Sequence, residues 1–236
     1  AKGQDVVITI VGYPKDVEEV YFGENGILAH AKEGAYLIDM TTTSPRLSEK
    51  IAEQAARGGQ HALDAPVSGG DVGAQNGTLS IMVGGEKADF EACLPIFKAV
   101  GTNINYFGKA GNGQHAKMAN QILVAGALGG VCEALAYGKA EGLDLQALFD
   151  AVSTGAGGSA QLSALGPKIL AGDFRPGFYM KHIIKDLRLA TEEAERKGLT
   201  LDVVPKVLAD FRELEEKGLG EEGSQALIKH YVHEKN

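Results

Sequence analysis

The segment AYLIDMTTTSPRLSEKIAEQAARGGQHALDA, residues 35–65, decides the fold. It opens with a short apolar run that is typical of a strand buried on both faces of a sheet. Ser44 and Pro45 then predict a helix start, and a pair of glycines ends that helix after three apolar residues at helical spacing. A second short apolar run over 62–65 follows. This strand–helix–strand order predicts a parallel α/β sheet.

The same alternation extends on both sides of this segment. Residues 6–11 (VVITIV) form a β-branched run that predicts an earlier strand, also buried on both faces. A glycine-dense loop spans 68–77. Strands are then predicted at 79–83 and 103–107, with a helix between them over 87–100.

The character of the sequence changes near residue 110. The remaining residues show repeated apolar patterns at a period of 3.6 and no convincing strand. The first helix of this part, over 113–141, is rich in alanine and glycine, which allows close helix packing and favours a central position in a bundle. We therefore expect an α/β domain over 1–109 and an all-helical domain over 110–236.

Charge and cysteine content narrow the function classes. The formal net charge of −8 argues against nucleic acid or an anionic membrane as the main partner and suits a soluble protein that handles small molecules. No 18-residue apolar run is free of glycine and charge, so no membrane span is expected. Cys93 and Cys132 lie far apart among apolar neighbours, which predicts buried free thiols and a cytoplasmic setting.

Several catalytic and metal-binding motifs are missing from the sequence. There is no HExxH, no G-x-S-x-G and no CxxC pair, so zinc enzymes, serine hydrolases and thiol oxidoreductases find no support. His230 and His233 have H-x-x-H spacing, but they lie beside the charged C-terminus of the sequence. We expect no metal site there.

Glycine is the most unusual component, with 32 of 236 residues. Residues 111–116 and 155–160 both match G-x-G-x-x-A. A dinucleotide fingerprint, however, needs a second strand soon after its helix, and neither match has one. Neither is therefore expected to bind a pyrophosphate.

A better candidate is the segment DAPVSGG, residues 64–70, at the C-terminal end of a predicted parallel strand. Open α/β sheets bind ligands at that edge. Ser68 offers a hydroxyl group, and Gly69 and Gly70 offer backbone N–H groups, so the turn can hold a carboxylate. The alternative is an ordinary glycine turn.

Lys117 lies in the first turns of the long helix, with Asn120 and Gln121 three and four residues later on the same face. A lysine there can give a proton to a developing alkoxide while the amides orient the substrate. Partial burial would lower the pKa of the lysine. The alternative is a solvated lysine. For Lys185 and Asp186 the choice is between a lysine that reaches toward a cofactor or a substrate and a solvated helix face.

Four stretches together resemble the β-hydroxyacid dehydrogenase family: 5–28, 64–85, 111–125 and 174–190. The resemblance covers nearly the whole chain and implies a Rossmann-type parallel sheet followed by an all-α domain. It implies that Lys117 is the catalytic lysine and that Ser68, Gly69 and Gly70 bind the substrate carboxylate. The cofactor, NAD or NADP, would contact Val11, Gly12, Thr42 and Lys185.

The resemblance also implies a substrate class. Many relatives have asparagine where this chain has Gln121, and the chain lacks the Cys-Trp pair near 155–160 that marks hydroxyisobutyrate enzymes. Both features favour reduction of tartronate semialdehyde to glycerate. 3-Hydroxyisobutyrate, glyoxylate and succinic semialdehyde stay open as alternatives. A non-catalytic helical oligomerisation or binding module is the alternative from another class.

Relatives in this family begin with a strand and a true G-x-G-x-x-G turn, which this chain does not contain. We therefore expect residues 1–109 to be the C-terminal portion of a dinucleotide-binding domain, with an open sheet edge, in a fragment of a longer protein. The residue that selects NAD or NADP is not in the chain, so that choice stays open. The small-residue helix makes a homo-oligomer, dimer or tetramer, the expected assembly.

Overall fold

A computed structural model of the chain describes residues 1–232. It divides into two compact units, Ala1–Ala119 and Asn120–Asn236. The division falls inside one long helix because the first turns of that helix pack on the sheet. The 109/110 boundary from the sequence instead marks where the strands end.

The first unit is an α/β unit. Its strands are β1 Val6–Thr9, β2 Tyr36–Asp39, β3 His61–Asp64, β4 Val67–Ser68, β5 Leu79–Gly85 and β6 Gly101–Tyr106. Its helices are α1 Pro14–Phe22, α2 Ile27–His30, α3 Pro45–Arg57, α4 Gly70–Asn76 and α5 Lys87–Val100. The α/β architecture predicted from the sequence is confirmed.

The strands within residues 1–232 form one six-stranded sheet in which β1, β2 and β3 are parallel neighbours. Their register aligns Thr9, Asp39 and Asp64, so the carboxyl ends of three strands meet at one edge. β6 is parallel to β5, whereas β5 runs antiparallel to both β3 and β4. The sequence predicted no antiparallel pair. The chain can reverse there because only the short α4 separates β4 from β5.

β1 departs from the prediction of a strand buried on both faces. Ile8 is 49% exposed, and Ile10, just beyond the strand, is 66% exposed. Among the described residues β1 pairs only with β2, so it is the edge strand of this sheet, and its apolar side chains lack neighbours on one side.

The second unit is helical. α6 Asn112–Ala140 enters it from the first unit, followed by α7 Leu145–Ser153, α8 Ala160–Leu170, α9 Met180–Arg196, α10 Val203–Glu216, a 3₁₀ turn Ser224–Leu227 and α11 Ile228–Tyr231. Within the described part of this unit the only β pairing is an isolated bridge between Tyr179 and Gly223. One continuous core fills the unit, with Leu128, Ile183 and Phe211 at its centre. The predicted all-helical part is confirmed.

Helix α6 is also long and apolar enough to cross a membrane, by length and composition alone. Those two measures fit the core helix of a water-facing domain equally well. In α6, 44% of the apolar window is buried, and Leu128 and Cys132 belong to the core of the second unit. The sequence raised no membrane expectation here because polar side chains and glycines interrupt the helix.

Candidate active site

Two buried carboxyl groups lie side by side at the carboxyl edge of the sheet. Asp39 ends β2, Asp64 ends β3, and each is 3% exposed. Asp39 Oδ1 accepts hydrogen bonds from Thr9 Oγ1 at 3.0 Å and from the Thr41 backbone N at 3.1 Å. Burial nevertheless raises the pKa of Asp39 to about 6, and the hydrogen bonds offset only part of this effect.

Asp64 caps the beginning of α6. Its Oδ1 accepts from Gly111 N at 2.8 Å and its Oδ2 from Gln114 N at 2.9 Å. Burial raises the pKa of Asp64, while these backbone donors lower it. The G-x-G-x-x-A match over 111–116 therefore gives its N-terminal donors to a carboxylate of the chain itself, where a fingerprint turn would offer them to a pyrophosphate.

Gly113 shows why the turn before α6 needs glycine. A Cβ built there would lie 2.4 Å from Met82 O and 2.8 Å from Asp64 Oδ2. The helix start thus lies directly against β5 and the end of β3. In this turn the glycine serves close packing within the protein.

The second G-x-G-x-x-A match, 155–160, is also accounted for by local structure. Ser159 is the N-cap of α8, and its Oγ accepts a hydrogen bond from Leu162 N at 3.0 Å. A Cβ on Gly158 would lie 2.4 Å from Ser153 O. The motif is a tight turn between two helices.

Gln114 joins the beginning of α6 to the loop after β2. Its side chain is fully buried; Nε2 donates to Thr41 O at 2.7 Å, and Oε1 accepts from Thr43 N at 3.0 Å. Thr41 Oγ1 accepts in turn from Val11 N at 2.9 Å. Hydrogen bonds therefore join the loops after β1 and β2 to the first turn of α6 in one network.

Three residues that the family resemblance assigns to the cofactor lie in or beside this hydrogen-bond network. Val11, Gly12 and Thr42 are half-buried, and they follow β1 and β2 at the carboxyl edge of the sheet. Open α/β sheets bind ligands at this edge, and the cofactor role of the three residues stays a prediction.

Lys117 follows Gln114 by three residues and is only 6% exposed. A lysine this deeply buried is not a member of a solvated helix face, so the alternative of a solvated lysine is wrong. Residues 117–119 belong to the first unit, together with the sheet.

The predicted carboxylate loop lies at the surface of the same unit. Ser68 ends β4 and pairs with Ser80, and Gly69 and Gly70 are exposed. Their φ angles are +129° and +62°, in the region that strongly favours glycine. Ser68 follows Asp64 by four residues. Asp64, which caps the helix that carries Lys117, is therefore also the last residue of the strand that precedes this loop.

The remaining predicted residues form a chain of contacts in the second unit. Asn120 Nδ2 donates to Gln121 Oε1 at 2.8 Å, and Gln121 Nε2 donates to Asp186 Oδ2 at 2.7 Å. Lys185 Nζ lies 3.0 Å from Asp186 Oδ1, and the Lys185 side chain is only 11% exposed. Lys185 and Asp186 are therefore not a solvated face. Asp186 fixes both Gln121 and Lys185, a role that the sequence did not assign to it.

Within residues 1–232 the side chains that could bind a metal ion are not grouped for that purpose. No group of three or more His, Cys, Asp or Glu side chains is placed to hold a metal ion there. His230 lies 3.2 Å from Asp210 Oδ1 and 3.1 Å from Glu213 Oε2, whereas His233 lies outside the described residues.

Both cysteines are free and buried, as predicted. Burial raises the pKa of Cys93 to about 11 and that of Cys132 to about 12. Near neutral pH both thiols therefore disfavour the thiolate, which is the nucleophilic form.

Two family profiles match the chain. One, described as the NAD binding domain of 6-phosphogluconate dehydrogenase, matches residues 1–108. The other, described as the NAD-binding region of NADP-dependent 3-hydroxyisobutyrate dehydrogenase, matches residues 111–231.

Curated relatives agree with these profiles. An uncharacterized oxidoreductase of Bacillus subtilis is 55% identical over 98% of this chain and 81% of its own length. A probable mitochondrial 3-hydroxyisobutyrate dehydrogenase-like protein of Arabidopsis thaliana is 43% identical, over 97% and 68%. The 2-hydroxy-3-oxopropionate reductase of Escherichia coli is 40% identical, over 85% and 68%.

Solved structures are similar as well. A 3-hydroxyisobutyrate dehydrogenase from Salmonella typhimurium superposes with a TM-score of 0.89 at 28% identity, over 95% of this chain and 79% of that one. A Mycobacterium tuberculosis 3-hydroxyisobutyrate dehydrogenase, solved with L-serine, gives 0.88 at 28% identity, over 98% and 80%.

Proposed function

Because the chain belongs to the β-hydroxyacid dehydrogenase family of NAD(P)-dependent oxidoreductases, we propose that it reduces a small semialdehyde that carries a carboxylate. Tartronate semialdehyde, reduced to glycerate, is the first candidate. This membership supports an enzyme over the non-catalytic module considered from the sequence. NAD and NADP both remain candidates for the cofactor.

The proposed step has two parts. The chemistry that a reduced nicotinamide would supply, when bound, is a hydride for the carbonyl carbon. Lys117 Nζ donates a proton to the carbonyl oxygen as the C=O π bond opens, so the product is a neutral alcohol. In the reverse direction the neutral Lys117 amine takes the proton from the hydroxyl group.

The other candidate residues bind and orient. Ser68, Gly69 and Gly70 hold the substrate carboxylate through a hydroxyl group and backbone N–H groups. Asn120 and Gln121 orient the hydroxyl group of the substrate. For the cofactor we assign Val11, Gly12, Thr42 and Lys185.

One observation carries this proposal most directly. Lys117 is 6% exposed, and it lies one helical turn after the turn that Asp64 caps. The same Asp64 is the last residue of β3, four residues before Ser68. Semialdehyde reduction requires a proton donor in a fixed position, and the burial of Lys117 and its capped helix start support that role.

Replacement of Lys117 tests this role. For Lys117→Ala we expect kcat on tartronate semialdehyde to fall by about 10²–10⁴-fold, the usual contribution of a positioned general acid. Lys139→Ala is the matched control, because Lys139 is exposed in the last turn of the same helix. If both variants stay within threefold of the parent protein, the role assigned to Lys117 is wrong.

A substrate panel decides between the candidate reactions. Gln121 and the Escherichia coli relative at 40% identity support tartronate semialdehyde. The names of other relatives favour 3-hydroxyisobutyrate, and glyoxylate, succinic semialdehyde and L-serine complete the panel. We expect the highest kcat/KM with tartronate semialdehyde. A higher value with another member would reassign the substrate.

Three further assignments accompany this proposal. Residues 1–109 form the nucleotide-binding part and 110–236 the helical part; the two profile matches support this division.

We propose a homo-oligomer, because α6 leaves Leu123 74% and Tyr137 67% exposed in the second unit. Light scattering after gel filtration would contradict this with a monomer mass. The two free thiols support a cytoplasmic setting.

A further inference from the structure

We propose that Gln114 is a positioning residue that couples the loop 41–43 to the helical turn carrying Lys117. The inference rests on the proposed function, in which Thr42 contacts the cofactor and Lys117 delivers the proton. Gln114 is assigned neither the hydride transfer nor the proton transfer. It would act by holding the cofactor side and the proton donor in one fixed arrangement.

The loop side of this coupling is a two-point clamp. The Gln114 amide donates to Thr41 O at 2.7 Å and accepts from Thr43 N at 3.0 Å. Thr42 therefore lies between two residues that are both bonded to one side chain. Thr41 is 1% exposed and Thr43 is fully buried, so no solvent replaces these bonds when the amide is lost.

The helix side is held just as firmly. The Gln114 backbone N donates to Asp64 Oδ2 at 2.9 Å, and the preceding Gly113 lies too close to β5 for a Cβ. Lys117 follows at i+3 and thus lies on the same helix face. Any shift of this first turn moves Lys117 with it.

The two sides together explain why an amide is required. Only a group with one donor and one acceptor in a fixed fork can satisfy a carbonyl and an N–H two residues apart. An apolar side chain of the same size would leave both backbone groups buried and unpaired, and the loop would have to rearrange. Displacements near 1 Å cost about 10²-fold in rate when they move reacting groups.

The test compares Gln114→Met with Gln60→Met. Gln60 is a matched control because it is also buried, at 7% exposed, and its Nε2 donates to Leu28 O and Ala31 O beside the opposite end of β3. We expect Gln114→Met to lower kcat/KM at least about thirtyfold, with a higher KM for the nicotinamide cofactor. Gln60→Met should stay within threefold of the parent protein.

A conservative variant separates positioning from a general loss of stability. A protonated Glu at position 114 donates through its O–H to Thr41 O and accepts from Thr43 N, whereas the ionised form cannot donate. Asp39 and Asp64, on the neighbouring strand ends, favour the neutral form, whereas Lys117, three residues along on the same helix face, favours the ionised form. For Gln114→Glu we expect the activity, relative to the parent protein, to rise as the pH falls, with folding checked by circular dichroism at each pH. Gln114→Met should show no such rise.

Hydrogen exchange provides a readout that does not depend on turnover. In Gln114→Met, and not in Gln60→Met, the Thr43 amide should lose protection by at least about tenfold. If the parent protein reduces no semialdehyde, the proposed function fails, and the Thr43 amide still tests the coupling. Unchanged Thr43 protection, or Gln114→Met activity within threefold of the parent, overturns the proposal. If Gln114→Met does not fold, a flat pH response of Gln114→Glu overturns it.

Discussion

Burial sets the proton affinity of Asp39, a single carboxyl group at the end of β2. Its pKa is raised from 3.8 to about 6, so the folded protein binds this proton more tightly than the unfolded chain. The stabilisation is therefore fully present below about pH 4 and is lost as the pH rises through 6. At 1.36 kcal/mol per pKa unit, the loss amounts to about 3 kcal/mol.

Asp39→Asn isolates this effect, because asparagine keeps the acceptor oxygen for Thr9 and Thr41 but does not titrate. From urea unfolding we expect the stability of the parent protein, relative to the variant, to fall by about 2–3 kcal/mol between pH 4 and 7. Asp173→Asn is the control of opposite sign below pH 4, since Arg175 holds the pKa of Asp173 well below its usual range and that stabilisation is lost as the pH falls. A difference for Asp39 that does not change with pH would contradict the prediction.

At the residue scale, the sequence identifies the candidate site only in part. Lys117 and Ser68 stand out because they match a family pattern at a fixed separation, and their assigned roles stay predictions. Gln114 and Asp186 give no such signal. Gln114 bonds a carbonyl 73 residues away, and Asp186 bonds an amide 65 residues away. Such partners depend on tertiary packing, which no local spacing encodes.

At the scale of elements, glycines in one helix have opposite roles. A Cβ added to Gly113 would lie 2.4 Å from Met82 O, whereas a Cβ added to Gly130 would meet no atom within 4 Å. We expect Gly113→Ala to destabilise the protein by about 1–3 kcal/mol through overpacking. Gly130→Ala should stabilise it by about 0.5–1 kcal/mol, because alanine has the higher helix propensity.

Urea unfolding of both variants at one pH measures these free energies, and kcat provides a second comparison. Only Gly113→Ala should reduce kcat, since it alone displaces the turn before Lys117. Two changes in stability of the same sign would show that the close approach at Gly113 is not the reason for the glycine.

The periodicity of the sequence predicted most of these elements because it reflects burial. β2, α3 and β3 lie where the segment 35–65 predicts them. The sequence predicts the position of β1 correctly but not its burial, because an edge strand and a central strand can have the same apolar composition. β5 runs antiparallel to β4 because the short helix α4 reverses the chain between them. The seven residues of α4 show no apolar periodicity, so the sequence did not predict this reversal.

At the scale of the whole chain, each unit has its own hydrophobic core. The core of the first unit is divided into two clusters, one including Val17 and Ile51 and the other including Cys93 and Phe97. The second unit has one continuous cluster, which includes Cys132. The sequence predicted this change of architecture from the end of the strands. It could not predict how each core is divided.

The two thiols report on these cores separately. At pH 8 we expect each thiol in the folded protein to react with a disulfide reagent at least about a hundredfold more slowly than in the unfolded chain. The reasons are burial and the pKa values of about 11 for Cys93 and about 12 for Cys132. Single-thiol variants, Cys93→Ala and Cys132→Ala, assign each rate to one unit.

In increasing urea, Cys93 should become reactive before Cys132, because a divided core beside an edge strand opens at lower free energy than a continuous one. Coincident midpoints would show that the units unfold together, and earlier exposure of Cys132 would reverse the order of stability argued from the cores.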